Sequence, residues 1–150
     1  CYALKGNYTR YKAIKAAQYD RLEKIKNSLW VAAMVVQVKR QKYFRWHDAG
    51  DVQDLEHLKK IYSVCKLTPE VKHWMPTREA WIKNHLTSKP SNLVIRFSPP
   101  MIGQRNDSWP NSSMVVETGA SCPAPSQGGK CGSCRQCWDS NIKVVSYGKH

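Results

Sequence analysis

Apolar residues in the first quarter of the chain recur at the spacing of helices. Between Thr9 and Asn27 most polar positions are lysine, arginine or acid, while the apolar positions lie three or four residues apart or at multiples of that spacing: Tyr11, Ile14, Leu22, Ile25 and Leu29. This pattern predicts a helix. The next stretch, 28–41, is apolar on nearly all sides, which fits a buried helix or a strand. Its length and its two alanines favour a helix.

The middle of the chain alternates short apolar runs, polar turns and amphipathic segments. Strands are predicted at 43–46, 71–75 and 92–98, with a helix from Asp51 to about Cys65 and another from Arg78 to Leu86. Asp51 and Thr77 are the expected N-caps of these helices. Such alternation is typical of parallel strands joined by crossover helices. We therefore expect an α/β fold, a small parallel sheet or a partial (β/α) barrel.

The composition changes at Pro99, after which proline, glycine, asparagine and serine indicate a loop up to Ser113. Two more short strands are predicted, at 114–118 and 142–146, and four cysteines lie between them. Residues 1–98 would form the α/β repeat region. Residues 99–150 would add a loop and a C-terminal cysteine-rich metal-binding loop, packed with the first region as one domain.

Polar side chains follow each of the three central strands: His47, Asp48 and Asp51 after the first, Thr77 and Arg78 after the second, and Ser98 after the third. In parallel α/β folds the functional side is the edge where the strands end. A His/Asp pair can move a proton there, and an arginine at a helix start can bind an anion. The candidate catalytic residues are His47, Asp48, Asp51 and Arg78. The alternative is structural: Asp51 caps a helix and Asp48 orients the turn.

The most specific pattern is a set of four cysteines separated by eight, two and two residues: Cys122, Cys131, Cys134 and Cys137. Thiolates are strong ligands of zinc and of iron–sulfur clusters. The two two-residue spacers are like the start of a ferredoxin ligand set, which favours a [4Fe-4S] cluster and leaves zinc as the alternative. Two disulfides fit less well because the chain shows no signal peptide. Cys65 is expected in the core, and Cys1 is a frayed end, a fifth metal ligand or a reactive thiol.

The formal net charge of +13 makes nucleic acid or a small anionic ligand the expected partner. The charge is spread over many segments instead of forming one basic arm. A hydrophobic content of 41% argues against a disordered chain, and no apolar run is long enough to span a membrane. We expect a cytoplasmic protein. The open edges of a small sheet are compatible with a homo-oligomer.

Three stretches and the tail together resemble a family of uncharacterised phage- and plasmid-encoded proteins: YFRWHDAGD at 43–51, VKHWMPTR at 71–78, NLVIRFS at 92–98 and the residues from Cys122 onward. The resemblance covers most of the chain, is most specific in the tail, and implies the cytoplasm of a host cell but no settled activity. The chain is also loosely similar to the partial barrels of radical S-adenosylmethionine enzymes, although their CxxxCxxC loop is absent. That similarity is one of fold alone.

Two functions from different classes fit these patterns, and they leave open whether the protein is an enzyme. The first is an iron–sulfur enzyme that acts on a small or nucleotide-like ligand. The second is a zinc-stabilised, basic nucleic-acid-binding module without catalysis.

Overall fold

Five parallel strands form one sheet in which spatial order follows chain order. The computed structural model describes residues 7–48 and 50–149. Its strands are β1 (Tyr43–Arg45), β2 (Lys72–Thr77), β3 (Leu93–Phe97), β4 (Ser112–Val116) and β5 (Val144–Gly148). The sheet curls into a half-barrel, which confirms the α/β class and the partial-barrel architecture.

Four α-helices occur in the described part of the chain: α1 (Asn7–Arg10), α2 (Lys12–Lys24), α3 (Trp30–Val38) and α4 (Leu55–Leu67). Short 3₁₀ helices span Ala80–Ser88, Ala124–Gln127 and Gln136–Trp138. The first predicted helix is confirmed, with a break at Tyr11, and α3 confirms the helical alternative for 28–41. No described helix is long and apolar enough to cross a membrane.

Both predicted helix caps are wrong: Asp54 and not Asp51 caps α4, and Glu79 and not Thr77 lies at the N-terminal end of the 3₁₀ segment. Helix α4 begins after Asp54, whose carboxylate accepts a hydrogen bond from the His57 N–H at 2.7 Å. The Thr77 hydroxyl accepts from the Glu79 N–H at 3.0 Å and keeps the chain in a local turn. The predicted helix from Arg78 to Leu86 is therefore a 3₁₀ segment that starts later, at Ala80.

The two faces of the sheet are covered by different parts of the chain. Successive residues along each strand contact one covering and then the other. On the helix face, Met75, Ile95 and Phe97 pack against α3, α4 and the Ala80–Ser88 segment. On the other face Trp74 and Val145 pack against Cys137 and neighbouring residues of the C-terminal region. We call this second side the cysteine face; its strand residues are Tyr43, Arg45, Trp74, Arg96, Val145 and Tyr147.

The connection from β4 to β5 crosses the sheet on the cysteine face, whereas α4 and the Ala80–Ser88 segment cross on the helix face. We call residues 117–143, which make this connection, the cysteine segment. All five strands are parallel and lie in sequence order. The β4-to-β5 connection, on the cysteine face, therefore has the opposite handedness from the β1-to-β2 and β2-to-β3 connections, which lie on the helix face. About 98% of parallel crossovers have one hand, so this connection needs specific anchoring.

Candidate metal centre and strand-end site

A buried arginine on β3 anchors the cysteine segment to the sheet. Arg96 is inaccessible to solvent, and its guanidinium donates hydrogen bonds only to main-chain carbonyl oxygens within the described residues. The shortest, at 2.8 Å each, go to Gln136, Asp139 and Ile142, and longer ones go to Ser112, Cys137 and Lys143. Burial lowers the pKa of Arg96, while Tyr147, Cys137 and Asp139 raise it. A cationic group is thus held directly beside Cys137.

Aromatic rings anchor the same segment to the first two strands. The Trp138 indole N–H donates to the carbonyl oxygen of Phe44 at 3.0 Å, and its ring meets those of Tyr43 and Trp74 edge-on. The Arg135 guanidinium lies 4.7 Å from the centre of the Tyr43 ring. On the same face, the Arg45 guanidinium lies 5.0 Å from the centre of the Trp74 ring. The surroundings of the cysteine segment are therefore rich in positive charge.

Cys137 is the predicted ligand that the fold holds most firmly. Its sulfur lies 3.1 Å from the Tyr147 hydroxyl, and its side chain is buried. Burial raises the pKa of the Cys137 thiol; Tyr147 and Arg96 lower it, and the charges of Cys122 and Cys131 raise it further. Burial also raises the pKa of Tyr147.

The other predicted ligands lie in the turn that precedes Cys137. The Cys134 N–H donates to the carbonyl oxygen of Cys131 at 3.0 Å, so these two residues share one tight turn. All four cysteines are free thiols. Across residues 7–48 and 50–149, no three side chains of His, Cys, Asp or Glu are grouped closely enough to hold a metal ion. The four-cysteine centre therefore stays a prediction.

At the C-terminal end of the sheet, Asp51 ties together the residues that follow β1 and β2. One carboxylate oxygen accepts from the Thr77 hydroxyl at 2.6 Å and from the Val52 N–H at 2.8 Å. The other accepts from the Arg78 N–H at 2.6 Å. The predicted meeting of these strand ends is real, and Asp51 has a structural role in it. The guanidinium of Arg78 is on an exposed residue.

His47 has an unusual position at the same edge. Its φ is +56°, and its Nε2 atom is buried without a hydrogen-bond partner in the described part of the chain. Its ring stands edge-on to that of His57, with the centres 5.7 Å apart. Burial lowers the pKa of both residues, that of His57 to about 4. Asp48 is exposed, with one carboxylate oxygen 3.9 Å from Arg45. The lowered pKa of His47 favours the neutral form of its imidazole.

Three residues that shape these sites were absent from the predictions: His57, Arg96 as an anchor, and Tyr147. His57 lies four positions before Ile61, so helical periodicity places it on the buried face of α4. Arg96 alternates with Ile95 and Phe97, which indicated a separate face but not what covers it. The bond between Tyr147 and Cys137 depends on tertiary structure and leaves no local sequence signal.

Comparison with known proteins finds one family. Residues 1–112 match the model of the family described as gene product 88. Neither the curated proteins nor the solved structures contain a match to this chain. The matched residues run from the first helices to Ser112 at the start of β4 and do not include the four cysteines. The resemblance predicted for the tail and the similarity to radical S-adenosylmethionine enzymes stay predictions.

Proposed function

The chain belongs to the gene product 88 family, a phage-type family, and we propose that this member holds a thiolate-bound metal centre on the cysteine face of its half-barrel. The ligands are Cys122, Cys131, Cys134 and Cys137. The metal is a [4Fe-4S] cluster, which the two-residue spacers favour, with a single zinc ion as the alternative.

The observation that carries this proposal is the charge of Arg96. A buried cation is costly unless an anion offsets it, and the hydrogen bonds of Arg96 go to neutral carbonyls. Four thiolates bound to a zinc ion or to an oxidised cluster carry net negative charge beside that guanidinium. Arg45 and Arg135 add further positive charge on this face, which would also offset the negative charge of the thiolates. A metal centre therefore offsets the charge that the fold buries here.

Binding requires the cysteine segment to adjust, and its structure allows this. Gly128, Gly129 and Gly132 all have positive φ, so the turn around Cys131 uses backbone freedom that only glycine has at no steric cost. Cys137 is fixed by the sheet, while Cys131 is exposed. Metal binding would draw the outer cysteines toward the fixed one.

We propose that the strand-end groups form a separate site for a small ligand. His47 supplies a neutral imidazole with an unpartnered nitrogen, and the exposed Arg78 supplies a cation for a phosphorylated or nucleotide-like ligand. Asp48 borders the site, and Asp51 holds its frame. In this proposal the His47 imidazole exchanges a proton with the bound ligand.

The test is metal analysis of protein purified without oxygen. We expect iron and sulfide, with broad visible absorption that disappears on reduction or exposure to air. A colourless protein with one zinc per chain would replace the cluster by the alternative. Protein that contains neither metal, even after reconstitution with iron and sulfide or with zinc, would refute the centre.

Replacing a ligand sharpens the test. Cys134→Ser should lower the metal content and the stability, because a hydroxyl is a poor ligand for either metal and binding energy is part of folding energy. The matched control is Cys65→Ala, which removes a buried cysteine on the helix face and should leave the metal content unchanged. Equal metal content in both variants would show that Cys134 is not a ligand.

A second candidate function, nucleic-acid binding, is favoured by α2. This helix buries none of its residues and exposes Lys12, Lys15, Arg21 and Lys24 in a chain of net charge +13. Affinity for DNA or RNA should fall steeply with salt, and replacing these four residues with glutamine should reduce that slope. Lack of binding at low salt would exclude this candidate.

A further inference from the structure

We infer that a cleft at the N-terminal edge of the sheet binds a nucleotide whose base carries an exocyclic amino group. The cleft has a volume of about 850 Å³, within the roughly 300–1,000 Å³ that is typical of small-molecule sites. It lies at the opposite end of the strands from His47 and Arg78, and its described lining includes none of the four cysteines. The inference is therefore independent of the metal centre and of the strand-end site.

Two walls form this cleft. One is the row of residues at which β1, β2 and β3 begin, represented by Tyr43, Lys72 and Asn92. The other is the end of the cysteine segment, residues 135–142. The hydrogen bonds that Arg96 donates to main-chain carbonyl oxygens of this second wall hold it in place. The cleft is thus built by the fold itself, as small-molecule sites usually are.

The side chains at one end of the cleft suit a planar ring. The Arg135 guanidinium lies 4.7 Å from the centre of the Tyr43 ring, and it donates to the carbonyl oxygens of Gly132 and Cys134 at 2.7 and 2.6 Å. The Trp138 ring meets that of Tyr43 edge-on, with the centres 5.5 Å apart. Nucleobases stack on aromatic rings and on guanidinium planes. A flat base is therefore the part of a ligand that fits this end of the cleft.

The hydrogen-bonding groups of the cleft favour a base with an amino group. The side-chain nitrogen of Asn92 donates to main-chain carbonyl oxygens in 65–71, the shortest bond being 2.9 Å. These bonds fix the side chain and leave its amide oxygen as an acceptor without a donor among the described residues. Glu70 and Asp139 add carboxylate oxygens to the lining. An amino group on a base can donate to such oxygens, whereas a carbonyl group at the same position cannot.

The charges around the cleft leave a cation for the phosphate. Lys72 is exposed, and its ammonium forms no ion pair with another described residue. The Asp139 carboxylate interacts with the buried guanidinium of Arg96, and Arg135 offsets the charge of Glu70 in the lining. The ammonium of Lys72 can therefore bind the phosphate of the nucleotide whose base lies against Tyr43.

The experiment is isothermal titration calorimetry of the protein with adenosine 5′-monophosphate. Inosine 5′-monophosphate is the matched ligand, because it has a carbonyl oxygen where adenosine has its amino group. We expect the adenosine nucleotide to bind about fivefold more tightly, since the inosine nucleotide leaves acceptors in the cleft without a donor. Equal affinity for the two nucleotides would overturn the assignment of an amino-bearing base.

Two variants locate the site. Tyr43→Leu keeps apolar bulk but removes the ring, and it should weaken nucleotide binding at least about fivefold. Its control is Tyr19→Leu, which changes an exposed tyrosine on α2 and should have no effect. Lys72→Gln should weaken binding of the nucleotide and leave binding of adenosine unchanged, because only the nucleotide has a phosphate. Its control is Lys66→Gln, at an exposed position in the last turn of α4.

Several results would overturn the inference. One is the absence of binding by either nucleotide at low salt. Another is unchanged affinity in Lys72→Gln, an exposed position whose replacement costs the fold little, so this test holds even if Tyr43→Leu does not fold. Loss of binding in Arg78→Gln together with full binding in Tyr43→Leu would place the nucleotide at the strand-end site instead.

A trinucleotide of adenosine identifies the source of the nucleotide. Tighter binding of the trinucleotide than of the mononucleotide at high salt, where contacts to additional phosphates are weakened, would support single-stranded nucleic acid as the ligand. Equal or weaker binding would support a free nucleotide.

Discussion

At the scale of single residues, the backbone of His47 is the clearest departure from ordinary geometry. Its φ of +56° lies in the left-handed region, which costs a residue other than glycine about 1–2 kcal/mol. Asparagine tolerates this region, and β-branched residues do so poorly. The surrounding turn therefore imposes a conformation that histidine itself does not favour.

We expect His47→Val to lower the free energy of unfolding by about 1–3 kcal/mol, because a β-branched residue is strained at positive φ. His47→Asn is the matched control and should cost clearly less. Urea unfolding of both variants measures the difference. Equal losses would mean that lost packing against His57, and not backbone strain, decides the stability.

Single residues also show where sequence patterns stop being informative. Asp51 was correctly placed at the strand-end edge but wrongly given a capping role, because its actual partner, Thr77, is 26 positions away. Local sequence propensities do not show whether the Asp51 carboxylate will accept a hydrogen bond from that distant hydroxyl or from nearby backbone amides. The elements of the candidate site were thus predictable from position, whereas the bonds made by each side chain were not.

At the scale of elements, helices and strands followed from periodicity where each buries one face, as α4 does with Leu58, Ile61 and Cys65. Helix α2 followed the same pattern yet buries nothing, so its spacing predicted helix but not packing. The Ala80–Ser88 segment departed from prediction because the Thr77 turn delays its start. Periodicity therefore predicts element type better than element ends.

Arg96 joins elements, and its removal tests that role. Arg96→Met should destabilise the protein by at least about 3 kcal/mol, because each buried carbonyl left without a donor costs roughly 1–3 kcal/mol. It should also make the cysteine segment more sensitive to proteolysis. Urea unfolding and timed digestion measure the two effects.

Arg45→Met is the control for Arg96→Met. It removes an arginine from the same face, but one whose contact with Trp74 is a partly exposed cation–π interaction worth about 0.5–1 kcal/mol. Similar losses of stability in the two variants would mean that Arg96 does not hold the segment through its carbonyl bonds. Arg96→Lys, which keeps the charge with fewer donors, should lie between them.

At the scale of the whole molecule, the parallel half-barrel was predictable because strands alternate with turns and helical segments from β1 to β3. The path of the cysteine segment was not predictable. No local sequence pattern encodes the handedness of a crossover connection, and the handedness that most parallel connections have would place this one on the helix face. What holds this path is an arginine on β3 whose partners lie about forty positions later in the chain.

The opposite crossing of the cysteine segment has a consequence for the order of assembly. Synthesis proceeds from the N-terminus, so β1 to β3 and the helices that cover them are complete before the cysteines emerge. The helix-face core includes none of the four cysteines. A nascent chain can therefore form a folded platform from its first three strands, and the cysteine segment then closes over the opposite face of that platform.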